Sequence, residues 1–312
     1  MEQVMCRCRW AVAFASLMAL VGRGPSASAQ GAAGAPQGVP ENAVTRVSDH
    51  AYAIIGFPNI GIVTGSRGAL VMDTGLGAQM GAVVVRAVEK LSKGPVLYLT
   101  NTHFHPEHTA GEQAFGPRTI IVRPKAQQDE MDRNLPASLE RFRQRPQWKA
   151  QLDGVSFRPP DIVFDREITL DLGGVTARLF WLGAAHTLGD QFVYVEPDGV
   201  LFSGDIVQSK LVPSLPSTDS NPSNWLRILD ELERLKPRHV VPNHGALGEG
   251  TLIGEERALL VELQTRVARL KREGKSATQV SDLLASEYKA KYPDWTNIGT
   301  IPNAVQRLYA EP

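Results

Sequence analysis

After Cys8 the chain contains no cysteine. That excludes disulfides within the remaining chain, a thiolate metal ligand and a thiol nucleophile. There is no excess of charge of either sign: 33 basic residues stand against 33 acidic ones in 312 residues. A nucleic-acid binder would show a basic surplus and a basic stripe, so that class is disfavoured. Past the N-terminus no apolar run approaches the ~20 residues that span a bilayer. No Gly-x-Ser-x-Gly elbow is present, so a serine hydrolase of that kind is not indicated. What is abundant is apolar residues, 43% with a mean hydropathy of −0.16. That is too much for a disordered chain and enough for a sizeable core.

The two cysteines sit in an N-terminal segment with its own logic. Arg7 and Arg9 precede an apolar run from Trp10 to Val21, and Ala27-Ser28-Ala29 follows. A short positive region, a run too short to span a membrane and a small-x-small site describe a secretory signal peptide, residues 1–29, cleaved after Ala29. The alternative is an uncleaved N-terminal anchor. Cleavage would leave 30 basic and 32 acidic residues, a slightly acidic chain. Its expected location is periplasmic or secreted, with no stable membrane insertion. Residues 30–43, rich in Gly, Ala and Pro, read as a flexible lead-in to a domain covering 44–312.

Within that domain, short β-rich runs at Ala51–Ile55, Ile60–Thr64 and Ala69–Asp73 are punctuated by Gly56, Pro58-Asn59 and Gly65-Ser66. A helix is expected over Ala78–Leu91, then strands at Val96–Thr100 and Thr119–Val122. Residues 125–160 carry Arg133, Arg141, Arg143, Arg145 and Lys149, and read as a helical insert with a solvated face. A second β block follows at Ile168–Asp171, Val175–Trp181, Gln191–Glu196 and Val200–Ser203. Then come a helix at Asn224–Leu235 capped by Ser223, a strand at His239–Val241, and helices near Glu255–Glu273 and Thr278–Tyr288. Two β blocks, each with helices, imply an α/β fold in layers with two sheets packed together. Tyr292–Pro312 packs either on this domain or on a second subunit.

The histidines carry the chemistry. Three of the seven lie in Thr102-His103-Phe104-His105-Pro106-Glu107-His108, directly after an apolar strand. Imidazoles and carboxylates are the ligands zinc and related divalent ions prefer, and this density points to a metal site. His186 lies between two strands, His244 follows one, and Asp205 closes another. Each alone is weak, but together they supply ligands from four strand ends. Only His50 and His239 remain outside.

This ordered set, Val71-Met72-Asp73-Thr74-Gly75, the histidine-rich loop, His186, Ser203-Gly204-Asp205 and Asn243-His244-Gly245, resembles the metallo-β-lactamase superfamily of metal-dependent hydrolases. The resemblance covers about Val44 to Gly245. It implies an αββα four-layer sandwich with a cleft for two divalent ions, zinc first, with manganese or iron as alternatives and a one-metal form open. It places His103, His105 and His186 on the first ion, Glu107, His108 and His244 on the second, and Asp205 between them. The family loop usually carries aspartate where this chain has Glu107. The extra methylene leaves three outcomes: coordination by Glu107, a weak second site, or a binding-only relic.

Two bridged ions would lower the pKa of a shared water and polarise a substrate oxygen, with Glu107 as the catalytic carboxylate that orients the water and passes a proton. Asp73 is either an orienting partner for an imidazole or a plain turn residue, and Asp190 stands the same way beside His186. Lys210 either binds a substrate carboxylate or is a lone surface lysine. The loops 56–61 and 210–224 are placed to shape the pocket. The partner expected is a small-molecule substrate: an ester, lactone, thioester or amide-type bond. A β-lactam is the alternative, disfavoured because Asp205 stands where zinc β-lactamases typically carry Cys or Ser. A non-catalytic metal-binding protein is the third reading. Oligomeric state is not legible.

Overall fold

A computed structural model describes residues 38–311; the expected signal peptide, with its cleavage point at Ala29, lies outside them. The first sheet has seven strands in chain order: β1 (Val44–Arg46), β2 (Ala51–Ile54), β3 (Ile60–Thr64), β4 (Ala69–Met72), β5 (Val96–Thr100), β6 (Ile120–Pro124) and β7 (Ile162–Phe164). β1 to β4 are antiparallel and β4 to β7 parallel. The second sheet has the order β12–β11–β10–β9–β8, from β8 (Glu167–Asp171), β9 (Thr176–Trp181), β10 (Gln191–Val195), β11 (Val200–Gly204) and β12 (His239–Pro242). Its only parallel pair is β11 with β12, whose connection carries a helix, as a parallel crossover requires.

Strand periodicity explains the layering. Along β4, Leu70 and Met72 enter the core between the sheets while Ala69 and Val71 face the other way. Along β10, Val193 and Val195 enter that same core while Phe192 and Tyr194 face outward. A strand buried on both faces reads as an unbroken apolar run. Helix α1 (Ala78–Leu91) covers the first sheet with Val84, Ala87 and Val88. The second sheet is covered by α5 (Pro222–Arg234), α6 (Thr251–Arg272), α7 (Ala277–Lys291) and α8 (Ile301–Tyr309), with Trp225, Ile228, Leu229 and Leu232 at the centre. The result is the expected αββα sandwich. Among the described residues no helix is long and apolar enough to cross a membrane.

Several expectations need correction. The cap of α5 is Asn221, whose side chain accepts from the Asn224 amide, because Pro222 fills the first helical position and starts the helix two residues early. The insert is more than a solvated face. It forms α3 (Lys125–Arg143) and α4 (Pro146–Lys149), and it buries Gln127, Glu130, Met131, Leu135, Leu139 and Trp148. Its low hydropathy hides the three- and four-residue spacing of those positions, several of them polar. Of the lead-in, residues 38–43 are described, and there Val39 is buried against the α1 layer. Tyr292, Trp295 and Tyr309 pack on the α5–α8 layer of this domain.

Candidate metal centre

The site lies where strand ends of both sheets meet. β5 runs out into Asn101 and the histidine-rich loop, and Pro106 starts the one-turn helix α2 (Pro106–Thr109). That turn places Glu107 and His108 two and three residues after His105. From the second sheet, the β9–β10 loop brings His186, β11 ends in Gly204-Asp205, and β12 ends just before His244. Gly204 turns the chain at φ 61°, a left-handed conformation that glycine adopts without strain, and so aims Asp205 inward.

All seven predicted residues converge. Ligand atoms of His103, His105 and His186 lie within 4.8 Å of one another, as do those of His103, His108 and Asp205, and those of Glu107, His108 and His244. His105 Nδ1 is 2.9 Å from His103 Nε2 and 3.3 Å from His186 Nε2. Nitrogens bound tetrahedrally at zinc distances of 2.0–2.1 Å would stand about 3.3 Å apart, so the triad is already close to that spacing. Asp205 lies between the two halves: Oδ2 is 3.5 Å from His186 Nε2, and Oδ1 is 3.5 Å from His244 Nε2. Glu107 Oε2, His108 Nε2 and Asp205 Oδ1 are buried with no hydrogen-bond partner among the described residues. Orphaned buried polar atoms on a shared focus are what an ion-binding centre leaves when protein atoms alone are counted. Two divalent ions fit this donor set.

The outer contacts fix which nitrogen faces the focus. His186 Nδ1 donates to the Ser214 carbonyl at 2.7 Å, leaving Nε2 with its lone pair inward. His108 Nδ1 donates to Asp73 Oδ2 at 3.1 Å. Asp73 also accepts from the Thr102 amide, the Thr102 hydroxyl and the Asn243 side-chain amide, at 2.8, 2.9 and 2.6 Å. It is therefore an orienting residue rather than a plain turn, although its φ of 69° makes it a turn as well. Asp190 is not a partner of His186. Its carboxylate accepts from the Ala185 and Thr187 amides and the Thr187 hydroxyl, and shapes the loop instead. Lys210 pairs with Asp294 at 2.9 Å on the surface. His50 pairs with Asp198 away from the site.

Burial sets the protonation states. It pushes His103 and His105 well below the usual imidazole range, helped by the neighbouring imidazoles, and it lowers His186 and His244. Neutral imidazoles are the form that binds metal. For His108 burial is outweighed by the charge and hydrogen bond of Asp73, which hold it up at about 9. Burial also raises Glu107 to about 7. Asp205 resists the same burial because His244 and His108 pull it down to about 2.

Sequence reasoning missed the residues that hold these loops. Gln127 Nε2 on α3 donates to the carbonyls of Asn101 and Gly189, one from each sheet's loop. Glu130 accepts from the Leu188 and Gly189 amides. Buried Arg123 pairs with Glu112 and donates to Asn101 Oδ1, while Asn101 Nδ2 donates to the His108 carbonyl. Ser214 acts through a backbone carbonyl, which has no sequence signature. Phe57, from the 56–61 loop, lies 4.8 Å from the His244 ring.

The family model of the metallo-beta-lactamase superfamily matches residues 54–244, from the end of β2 to the last histidine of the centre. The chain belongs to the metallo-beta-lactamase superfamily. It is 22% identical to a linear primary-alkylsulfatase of Pseudomonas sp. (strain ATCC 19151) over 288 residues, covering 80% of this chain and 54% of that protein. It is 26% identical to the metallo-beta-lactamase type 2 of Bacteroides fragilis over 104 residues, covering 32% of this chain and 42% of the relative. This superfamily member thus spans about half the length of the curated relatives it matches. Among solved structures, the metallo-beta-lactamase from Pontibacter korlensis superposes with a TM-score of 0.57 at 23% identity, covering 70% of this chain and 98% of that one. The sec-alkylsulfatase Pisa1 from Pseudomonas sp. superposes with a TM-score of 0.67 at 16% identity, covering 86% and 50%. At these identities the superpositions speak for the fold.

Proposed function

We propose that this superfamily member is an exported hydrolase that uses two divalent ions, zinc first, on an ester, lactone, thioester or amide-type bond of a small molecule. The observation that carries the reading is the split of ligand atoms into two sets facing opposite oxygens of Asp205. His103, His105 and His186 would hold one ion, Glu107, His108 and His244 the other, and Asp205 would touch both. Such a pair supplies Lewis acidity, which brings water toward ionisation near neutral pH and polarises the substrate oxygen. The protein's own residues do the rest. Glu107 is buried at the focus, where a carboxylate oxygen not engaged by an ion is placed to take a proton and return it to the leaving group. Asp73 and the Ser214 carbonyl keep His108 and His186 in one tautomer each. Phe57 walls the mouth beside His244 with an apolar ring.

A sulfate ester is the second reading, favoured by the alkylsulfatase relative, whose alignment covers 80% of this chain against 32% for the β-lactamase. The test is elemental analysis of purified protein followed by a panel of carboxylic esters, lactones, thioesters, sulfate esters and β-lactams. About two equivalents of metal with turnover of one class is the expected result. Less than half an equivalent after metal loading would remove the dinuclear centre. Full loading with no turnover on the whole panel would remove the hydrolase.

A further inference from the structure

Four rings run in a row from the α3–α4 insert to the centre. Phe142 stacks on Trp148 at 4.7 Å, Trp148 on Phe57 at 6.3 Å, and Phe57 lies 4.8 Å from His244. Trp148 is buried, and its cluster includes Phe104, the residue between His103 and His105. The insert is therefore a roof whose apolar side continues directly into the site.

The same roof carries unneutralised positive charge. The Arg145 guanidinium lies over the Trp148 ring at 4.5 Å and the Phe142 ring at 5.2 Å. Stacking fixes it in place yet leaves its N–H fork free for a planar or tetrahedral oxyanion. Arg141 stands four residues earlier, in the last turn of α3. Both are exposed, and neither side chain makes a hydrogen bond or ion pair among the described residues. Of the other cations of the insert, Lys125 pairs with Asp129, Arg133 and Arg143 donate to the carbonyls of Asp129 and Leu152, and Lys149 is exposed on α4.

We propose that Arg141 and Arg145 select a substrate bearing an anionic group on an apolar body, the anion at the two guanidiniums and the body along Phe57 toward His244. The inference rests on reading the site as a small-molecule hydrolase, but its test needs no turnover. Octanesulfonate has a carbon–sulfur bond and no ester to cleave, and it combines charge and chain. Its binding to the zinc-loaded full chain is measured calorimetrically beside methanesulfonate (charge without chain) and octyl glucoside (chain without charge), all below micellar concentrations. Octanesulfonate is expected to bind at least tenfold more tightly than either.

The Arg141→Gln/Arg145→Gln double variant is expected to lose at least tenfold in octanesulfonate affinity, while Lys149→Gln, an exposed neighbour, stays within twofold. Arg145→Lys keeps the charge and is expected to retain most of the affinity, which separates recognition from loss of ring packing. Near-UV circular dichroism reports whether the Trp148 environment survives in each variant. Unchanged affinity in the double variant would mean that the metal centre alone holds the anion, and it overturns the proposal. So does an octyl glucoside affinity equal to that of octanesulfonate, or no binding of octanesulfonate. A protein that binds as expected and hydrolyses nothing keeps this inference and loses the hydrolase; an active hydrolase indifferent to the double variant does the reverse.

Discussion

Replacing Asp73 with asparagine tests the architecture of the centre at a residue that touches no substrate. Asparagine has the same shape and tolerates the left-handed φ of 69°, so the backbone turn is kept. What changes is the hydrogen-bond arithmetic. Oδ1 accepts from the Thr102 amide, while Oδ2 accepts from the Thr102 hydroxyl, His108 Nδ1 and the Asn243 amide. A carboxamide has one acceptor oxygen, so in either orientation its NH2 confronts at least one buried donor. Each buried donor left without an acceptor costs about 1–3 kcal/mol, and the orientation that keeps oxygen at the Oδ2 position strands only the Thr102 amide, so the loss is about 1–3 kcal/mol.

Weakening an outer-shell partner lowers metal affinity, about 10–100-fold when the partner is lost outright, and here His108 exchanges a carboxylate for a neutral amide oxygen, so the effect falls on the ion proposed at His108. A chelator-competition titration should therefore show one equivalent of zinc near the parent affinity and the other weakened. The ion-free protein supplies a second readout. The folded value of His108, about 9, lies above its ordinary 6.5, so protonated His108 stabilises the fold fully below pH 6.5. That contribution fades as pH rises through about 9, and the gap corresponds to about 3 kcal/mol. Urea unfolding across this window should show the decline in the parent and little of it in Asp73→Asn. Two equivalents at parent affinity, with an unaltered pH profile, would refute the assigned role.

Three other perturbations follow. Glu107→Ala should lower bound metal from about two equivalents toward one by elemental analysis; retention of two would remove Glu107 from the ligand set. Glu130→Ala leaves the half-buried Leu188 amide and the buried Gly189 amide without acceptors and should destabilise the domain by about 1–4 kcal/mol in urea unfolding. An effect below 0.5 kcal/mol, an order-of-magnitude threshold for surface changes, would return the insert to a solvated face. Burial raises Glu256 to about 8 from an ordinary 4.5, so the folded state holds its proton more tightly and stability falls as pH rises between those values. Glu256→Gln keeps an acceptor for the Gln208 amide and should flatten that fall in the ion-free protein, gaining about 2–4 kcal/mol at pH 8. A parallel decline in parent and variant would count against the assignment.

The layers were legible because β4, β10 and β11 are short, apolar and bounded by turns, and α1 falls on the residues its periodicity marks. The convergence of the seven side chains was legible because histidine is scarce elsewhere and these histidines lie in loops that follow strands. The roof was not. Gln127 and Glu130 read as helix surface, and only the tertiary fold shows the loop carbonyls and amides they meet. Asp190 misled for a related reason: proximity in sequence to His186 suggested an imidazole partner, whereas the tight turn offers it amides first. Asn221 was passed over for Ser223 because proline at the first helical position moved the start of α5.

Asp205 stands between histidines contributed by different sheets, with His103 and His108 on one side of the sandwich and His186 and His244 on the other. Neither β block alone carries a full ligand set for either ion. On the two-ion reading a nascent chain has no complete chelating site until the β9–β10 loop has brought His186 to the histidine-rich loop of the first sheet, and none for the second ion until β12 has delivered His244. The protein must condense before it can be metallated, and its affinity for metal is a late report on correct folding rather than a nucleus for it.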